Sequence, residues 1–119
     1  MKEKGSKYKN KKVEYQGMIF DSKKERDYYI QFLDMQNKGL IKNLTRQVEF
    51  ILQEGFRDKT GKKHIAIKYK ADFKYTVVET NEEIVIDVKA SKFFTTDVYK
   101  IKKKILLYKY PEITFKELY

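Results

Sequence analysis

From Ile65 to Val77 the chain alternates strictly: Ile65, Ile67, Tyr69, Ala71, Phe73, Tyr75 and Val77 take one parity, Lys68, Lys70, Asp72, Lys74 and Thr76 the other. Period two with one apolar and one polar face predicts a long antiparallel strand. After a polar turn at 79–83, Ile84-Val85-Ile86-Asp87-Val88-Lys89 is almost continuously apolar. That run predicts a central strand covered on both sides, interrupted by Asp87 and Lys89. Helical spacing appears twice. Ser22 is expected to open a helix to about Asn37, closed by Gly39, with Tyr29, Phe32, Leu33 and Gln36 on the inward face. Thr95 or Thr96 is expected to cap a second helix reaching about Tyr108. Its buried stripe would be Val98, Ile101, Ile105 and Tyr108, among Lys100, Lys102, Lys103, Lys104 and Lys109, and Pro111 ends it. Residues 13–15 and 18–20 around Gln16-Gly17 predict a hairpin, 47–52 a strand, 55–63 a loop, and 113–118 a short edge strand. The expected order is ββαβββαβ, an α/β (mixed α+β) chain whose mixed sheet carries two helices.

A chain of 119 residues suits one domain, expected over 13–119. Residues 1–12, with six Lys, read as a basic flexible arm. The absence of Cys excludes disulfides and thiolate zinc sites, so any metal must be held by oxygen. No apolar run approaches the roughly 18 residues of a membrane span, and the N-terminus has no signal-like apolar stretch. A soluble, cytoplasmic protein without membrane association is the expectation. With 27 Lys+Arg against 17 Asp+Glu, a formal charge of +10 favours polyanionic partners through counterion release.

Against that basic background the acids carry the chemistry. Asp87 lies inside an apolar strand, where a carboxylate needs a cation or hydrogen bonds to compensate its burial. Asp87 and Lys89 share a side of their strand, roughly 7 Å apart at Cα. Pairing centred on Asn81 would match 75 with 87 and 72 with 90; a shift of about three residues brings Asp72 to Asp87. Glu25, four residues before Tyr29, shares the inward helix face. Each has a plain alternative: Glu25 completes a capping box with Ser22, Asp72 is one charge on a lysine-rich face, and Lys89 is a strand end reaching water. Gln47, Thr95, Lys100 and Lys102 are secondary candidates for contacting phosphate or water. His64, the only histidine, receives no catalytic role, and Tyr28-Tyr29 and Phe93-Phe94 read as core or interface. Oxygen donors of this kind suit Mg²⁺, which takes one or two carboxylates and fills its shell with water and phosphate.

Asp72 and Asp87-Val88-Lys89, with the upstream helical Glu25, resemble the PD-(D/E)XK, or restriction-endonuclease-like, nuclease superfamily, with Ala71 where the motif has Pro. The stretches FDSKKERDYY, YKADFKY and IDVKASKFFTTDVYKIKKK are similar to small phage-encoded endonucleases, some labelled Holliday-junction resolvases. The resemblance implies a restriction-endonuclease-like sheet flanked by two helices and Mg²⁺-dependent cleavage of DNA phosphodiesters, with Mn²⁺ able to substitute. It implies Glu25, Asp72, Asp87 and the Val88 carbonyl as metal ligands and Lys89 as the catalytic lysine. Lys68, Lys70, Lys92, Thr95, Lys100 and Lys102 are the expected nucleic-acid contacts. No helix-turn-helix or zinc finger is apparent, so backbone shape, as in branched or junction DNA, is the expected target. Cutting paired strands calls for two sites and hence a homodimer. No organic cofactor is expected, and a phage origin would place the protein in a bacterial host's cytoplasm. The rival expectations are a non-catalytic nucleic-acid-binding protein, in which the charge alone acts, and a subunit of a larger phage recombination or packaging assembly.

Overall fold

The computed structural model describes residues 11–91 and 95–119. Most of the expected basic arm, together with Lys92, Phe93 and Phe94, lies outside them. Among the described residues the fold is mixed α/β, with two helices and a mixed sheet. A hairpin of β1 (Val13–Tyr15) and β2 (Met18–Phe20) turns through Gln16 and Gly17, both at positive φ (51° and 80°), as the two-residue turns that match strand twist require. Ser22 then caps α1 (Lys23–Asn37). Four strands form the main sheet in the order β3 (Ile41–Gln53), β6 (Ile67–Val77), β7 (Glu83–Val88), β8 (Ile113–Leu118). The first three are antiparallel, and β8 runs parallel to β7. Parallel neighbours need a crossover, and α2 (Asp97–Lys109), capped by Thr96, supplies it. The small hairpin of β4 (Phe56–Arg57) and β5 (Lys63–His64) stands apart from this sheet.

Two clusters build the core. Phe32 of α1 packs on Ile41, Phe73, Tyr75, Ile84 and Ile86; Leu106 of α2 packs with Leu52, Tyr69, Ala71 and Val85. In β7 the alternation is simple, with Ile84 and Ile86 in the first cluster and Val85 in the second, as a central strand covered on both faces demands. In β6 it is not. Phe73 and Tyr75 belong to the first cluster while Tyr69 and Ala71, of the same parity, belong to the second. The change of partner falls at Asp72, and Gln47, opposite it in β3, adopts φ +52°.

Several expectations from sequence are corrected. β3 begins at Ile41, not Gln47, because a register shift between Lys42 and Thr45, where Asn43 takes φ +59°, and the left-handed Gln47 disguise its period. The expected loop 55–63 contains β4 and the start of β5. The long strand begins at Ile67, and Ile65 is 80% exposed because that end projects past the core. The β6–β7 register, by contrast, has the three-residue shift from a pairing centred on Asn81 that brings Asp72 to Asp87: Phe73 faces Ile86 and Tyr75 faces Ile84. The largest correction concerns α2. Val98, Ile101, Ile105 and Tyr108 are all exposed, Tyr108 by 87%, and the packed face is Tyr99, Leu106 and Tyr110. The helix sequence offers two apolar faces. Glu117 of β8 selects between them by binding the Tyr99 hydroxyl and the Lys103 ammonium, which fixes the rotation of the helix.

Candidate active site

Continuing the β6–β7 register past Phe73 and Ile86 sets Asp72 opposite Asp87. Asp87 is buried (8% exposed), and Asp72 is half-buried. The two carboxyl groups lie close enough to share a hydrogen bond, and Asp72 Oδ2 also accepts from the Val88 amide at 2.7 Å. Burial pushes the Asp72 carboxyl far above its ordinary range, to about 8, and the neighbouring charges of Asp87 and Glu25 add to it, whereas the Val88 amide opposes the rise. Such a pair is costly as two bare anions, and a shared proton or a bound cation relieves it.

Glu25 enters from the first turn of α1 and is 4% exposed. Its backbone amide donates to Ser22 Oγ at 3.0 Å, which caps the helix. Its carboxylate accepts from Gln47 Nε2 at 3.1 Å and from the backbone at Asp21. Burial raises its proton affinity, with the Asp21 charge adding and the Arg46 guanidinium opposing. Arg46 lies 3.9 Å above the Phe20 ring and donates to the Ile19 carbonyl. Glu25 is near enough to act electrostatically on Asp72.

Lys89 completes the group. Its Nζ stands 2.7 Å from Asp87 Oδ2 and 3.3 Å from the centre of the Tyr99 ring. A cation held between a carboxylate and an aromatic face loses little freedom when it meets a further anion. The Tyr99 hydroxyl is bound to Glu117, which also accepts from Lys103 at 3.1 Å and from the Tyr119 hydroxyl at 2.9 Å. The backbone beyond β7 is secured as well, since Lys89 N donates to Leu118 O and Lys24 Nζ donates to Lys89 O at 3.2 Å. Tyr69, 4% exposed, places its hydroxyl within the influence of Asp87 and Tyr99, yet that hydroxyl makes no hydrogen bond among the described residues.

Asp87 and Lys89 open on a cleft of about 330 Å³ whose walls include Lys68, Lys70, Tyr69, Tyr99 and Lys102. Of the expected phosphate contacts, Lys68, Lys70 and Lys102 line it, whereas Thr95 and Lys100 border a separate depression with Lys103 and Glu117. Lys92 lies outside the described residues. Val88 ends β7 beside the pair, and its amide is engaged with Asp72. Gln47, a secondary candidate in the sequence, is the residue that reaches Glu25. Sequence reasoning passed over Tyr69, Tyr99, Lys24 and Glu117. Tyr69 carries the parity of the core face and Tyr99 sits in a lysine-rich helix, so only their placement marks them. His64 stands away from this cleft, on β5.

The family described as "Protein of unknown function (DUF1064)" matches residues 5–118. The chain belongs to that family. Searches of curated proteins and of solved structures each found no match. Among the described residues no three His, Asp or Glu side chains are gathered into a ready cation cage. The donor set is a carboxylate pair with a third acid nearby, which fits Mg²⁺, an ion commonly held by one or two carboxylates with the rest of its shell left to water and phosphate. The unpartnered Tyr69 hydroxyl fits the same use, because a water or phosphate oxygen beside Asp87 would satisfy it.

Proposed function

We propose that this protein is a Mg²⁺-dependent endodeoxyribonuclease of the PD-(D/E)XK type, hydrolysing DNA phosphodiesters, with branched or junction DNA as its preferred substrate. The observation that carries the reading is the pairing of buried Asp87 with half-buried Asp72, with Lys89 ion-paired to Asp87 at the mouth of a lysine-lined cleft. Carboxyls set this close together and taken out of water are a poor device for stability and a good one for holding a divalent cation against a phosphate. Asp72 and Asp87 would hold the ion, with Glu25 as the third acid and the Val88 carbonyl as a further donor. Bound there, Mg²⁺ supplies charge neutralisation at the scissile phosphate and acidifies a coordinated water.

The chain's own residues do the rest. Lys68, Lys70 and Lys102 draw the phosphate backbone into the cleft, a contact that follows charge and shape rather than base identity. Lys89, backed by the Tyr99 ring, presents its ammonium to the oxygens on which negative charge gathers. Asp87 orients that ammonium through the 2.7 Å contact, and the Val88 amide fixes one oxygen of Asp72. Cutting two strands calls for two such clefts, so the reading carries a homodimer. Mn²⁺ is expected to replace Mg²⁺, and no organic cofactor is required.

The deciding experiment is cleavage of labelled single-stranded, duplex, flap and four-way-junction DNA with Mg²⁺ or Mn²⁺ against an EDTA control. Asp87→Asn and Lys89→Ala are expected to abolish metal-dependent cleavage while salt-sensitive DNA binding persists. Full cleavage by either variant overturns the mechanism, and binding without cleavage by the native chain transfers the reading to a non-catalytic DNA-binding protein.

A further inference from the structure

Beyond the cleft, the segment from Gly55 to Ala66 is built as a stiff ribbon that the core does not use. Around its turn, Asp58 Oδ1 accepts from Thr60 N at 2.8 Å, Lys62 N at 3.1 Å and the Thr60 hydroxyl, while Oδ2 meets His64 Nε2 at 2.9 Å. The hydrogen bond from His64 is the main reason the Asp58 carboxyl is held down at about 2, with Thr60 next. Arg57 Nη1 donates to Gly61 O at 3.0 Å, and Gly61 takes the φ of +90° that the turn needs. At the base, a Cβ on Gly55 would stand 3.1 Å from His64 O, so glycine permits the two strands to close. Phe56 stacks on the His64 ring at 4.8 Å on one face. None of these residues enters either core cluster.

The other face is cationic. Arg57 is directly opposite Lys63 in the β4–β5 register, so both side chains project from one side of the ribbon. Like charges in that position cost a hairpin stability. With Lys59 and Lys62 exposed beside them, the twelve residues from Gly55 to Ala66 hold four cations and a single carboxylate, Asp58, which is tied into the turn. The ribbon continues the β3–β6 pair, whose last match is Gln53 with Ile67, and Lys68 and Lys70 of the cleft lie just past that point on β6. Basic side chains therefore run from the Asp87–Lys89 cleft along β6 to the ribbon.

We infer that the Gly55–Ala66 ribbon is a second DNA-binding element, laid in the groove of the duplex next to the one held at the cleft. A two-stranded β-ribbon fits a major groove about 12 Å wide, and its cationic face would meet phosphate along the groove wall. A rigid arm reaching an adjoining duplex segment favours long or branched DNA over short ends. The inference rests on the proposed DNA substrate but not on catalysis, and so it is tested by binding alone.

Binding of a labelled duplex and of a four-way junction is measured in EDTA over a salt series for the native chain, for Lys59→Ala/Lys62→Ala/Lys63→Ala, and for Lys38→Ala/Lys42→Ala/Lys116→Ala. The two triple variants lose equal charge, the second set at exposed positions outside the ribbon. The ribbon variant is expected to fold with a Tm unchanged or slightly raised, to bind at least 10-fold more weakly, and to lose about two to three from the slope of log K against log salt, near one per lost phosphate contact. The control variant is expected to keep a slope within about one of the native value. If both variants weaken alike, or neither does, the ribbon has no special role and the inference is overturned while the nuclease reading stands. If the native chain binds neither DNA, the nuclease reading falls first and the inference falls with it.

Discussion

Replacing Asp72 by Asn should stabilise the metal-free protein at alkaline pH and leave it almost unchanged in acid. The native Asp72 carboxyl is raised from 3.8 to about 8 by burial and by Asp87 and Glu25. A carboxyl whose proton is held more tightly in the folded state favours folding at low pH. That contribution is full below about pH 4, is withdrawn as pH rises, and is gone above about pH 8. At 1.36 kcal/mol per pH unit, the four-unit span sets a ceiling of about 5 kcal/mol. The site is partly open to solvent and its charges relax, so the expected loss is about 1–3 kcal/mol, or roughly 5–10 °C in Tm for a domain of this size. Asn keeps the shape of Asp, still accepts from the Val88 amide, and carries no charge to repel Asp87.

The assay is thermal unfolding in EDTA from about pH 4 to about pH 9, native chain against Asp72→Asn. Carboxyls remote from the site titrate alike in both proteins, so the difference between the two Tm curves reports Asp72 together with its coupling to Asp87 and Glu25. It should open between about pH 4 and about pH 8 and stay flat beyond. A constant difference across that range, or a variant less stable than the native chain at about pH 8, would show that Asp72 is neither buried against Asp87 nor strained by it.

Three further outcomes are expected. Adding Mg²⁺ should raise the native Tm more at about pH 8 than at about pH 5, because proton and metal compete for the same carboxyls, and Asp87→Asn should remove most of that gain. Tyr99→Phe keeps the ring under Lys89 but loses the tie to Glu117, whereas Tyr99→Leu removes both; cleavage should fall modestly in the first and about 10-fold or more in the second, with DNA affinity unchanged in each. Phe73→Ala should cost about 3–5 kcal/mol by urea unfolding, since Phe73 is fully buried between Phe32 and Ile86; Ile101→Ser, on the exposed stripe of α2, should cost under about 1 kcal/mol in the monomer.

The parts of the fold legible in sequence were those with an uninterrupted period. β7 announces itself as an apolar run with two charges in it, α1 by its cap and inward aromatics, and β8 by its place after Pro111. β3 was half hidden because two left-handed residues break its alternation, and no propensity marks Asn43 or Gln47 as strand positions. The packed face of α2 was illegible for another reason: the clearer apolar stripe in its sequence is Val98, Ile101, Ile105 and Tyr108, whereas the packed Tyr99 and Leu106 are separated by lysines, and Tyr99 and Lys103 are held down by Glu117, eleven positions past Leu106 on β8. For the site, the acids and Lys89 could be named from spacing, but the supports at Tyr99, Glu117, Gln47 and Lys24 could not, because each is brought in by tertiary packing.

One irregularity links those supports to the acids. An unbroken β3–β6 ladder would continue the same alternation through Asp72, and Tyr69 and Phe73 would then share one cluster. Instead Gln47 turns left-handed opposite Asp72, the two halves of β6 face different helices, and Asp72 lies between the two clusters. The same Gln47 reaches across to the Glu25 carboxylate. Glu25 thus serves the helix and the site with different atoms, its amide capping through Ser22 and its carboxylate drawn toward β3. The capping sequence and the acid cluster are not competing uses of one residue. Gln47→Ala should accordingly leave the α1 cap intact and loosen Glu25 alone, a change visible as weaker metal stabilisation without loss of helix content.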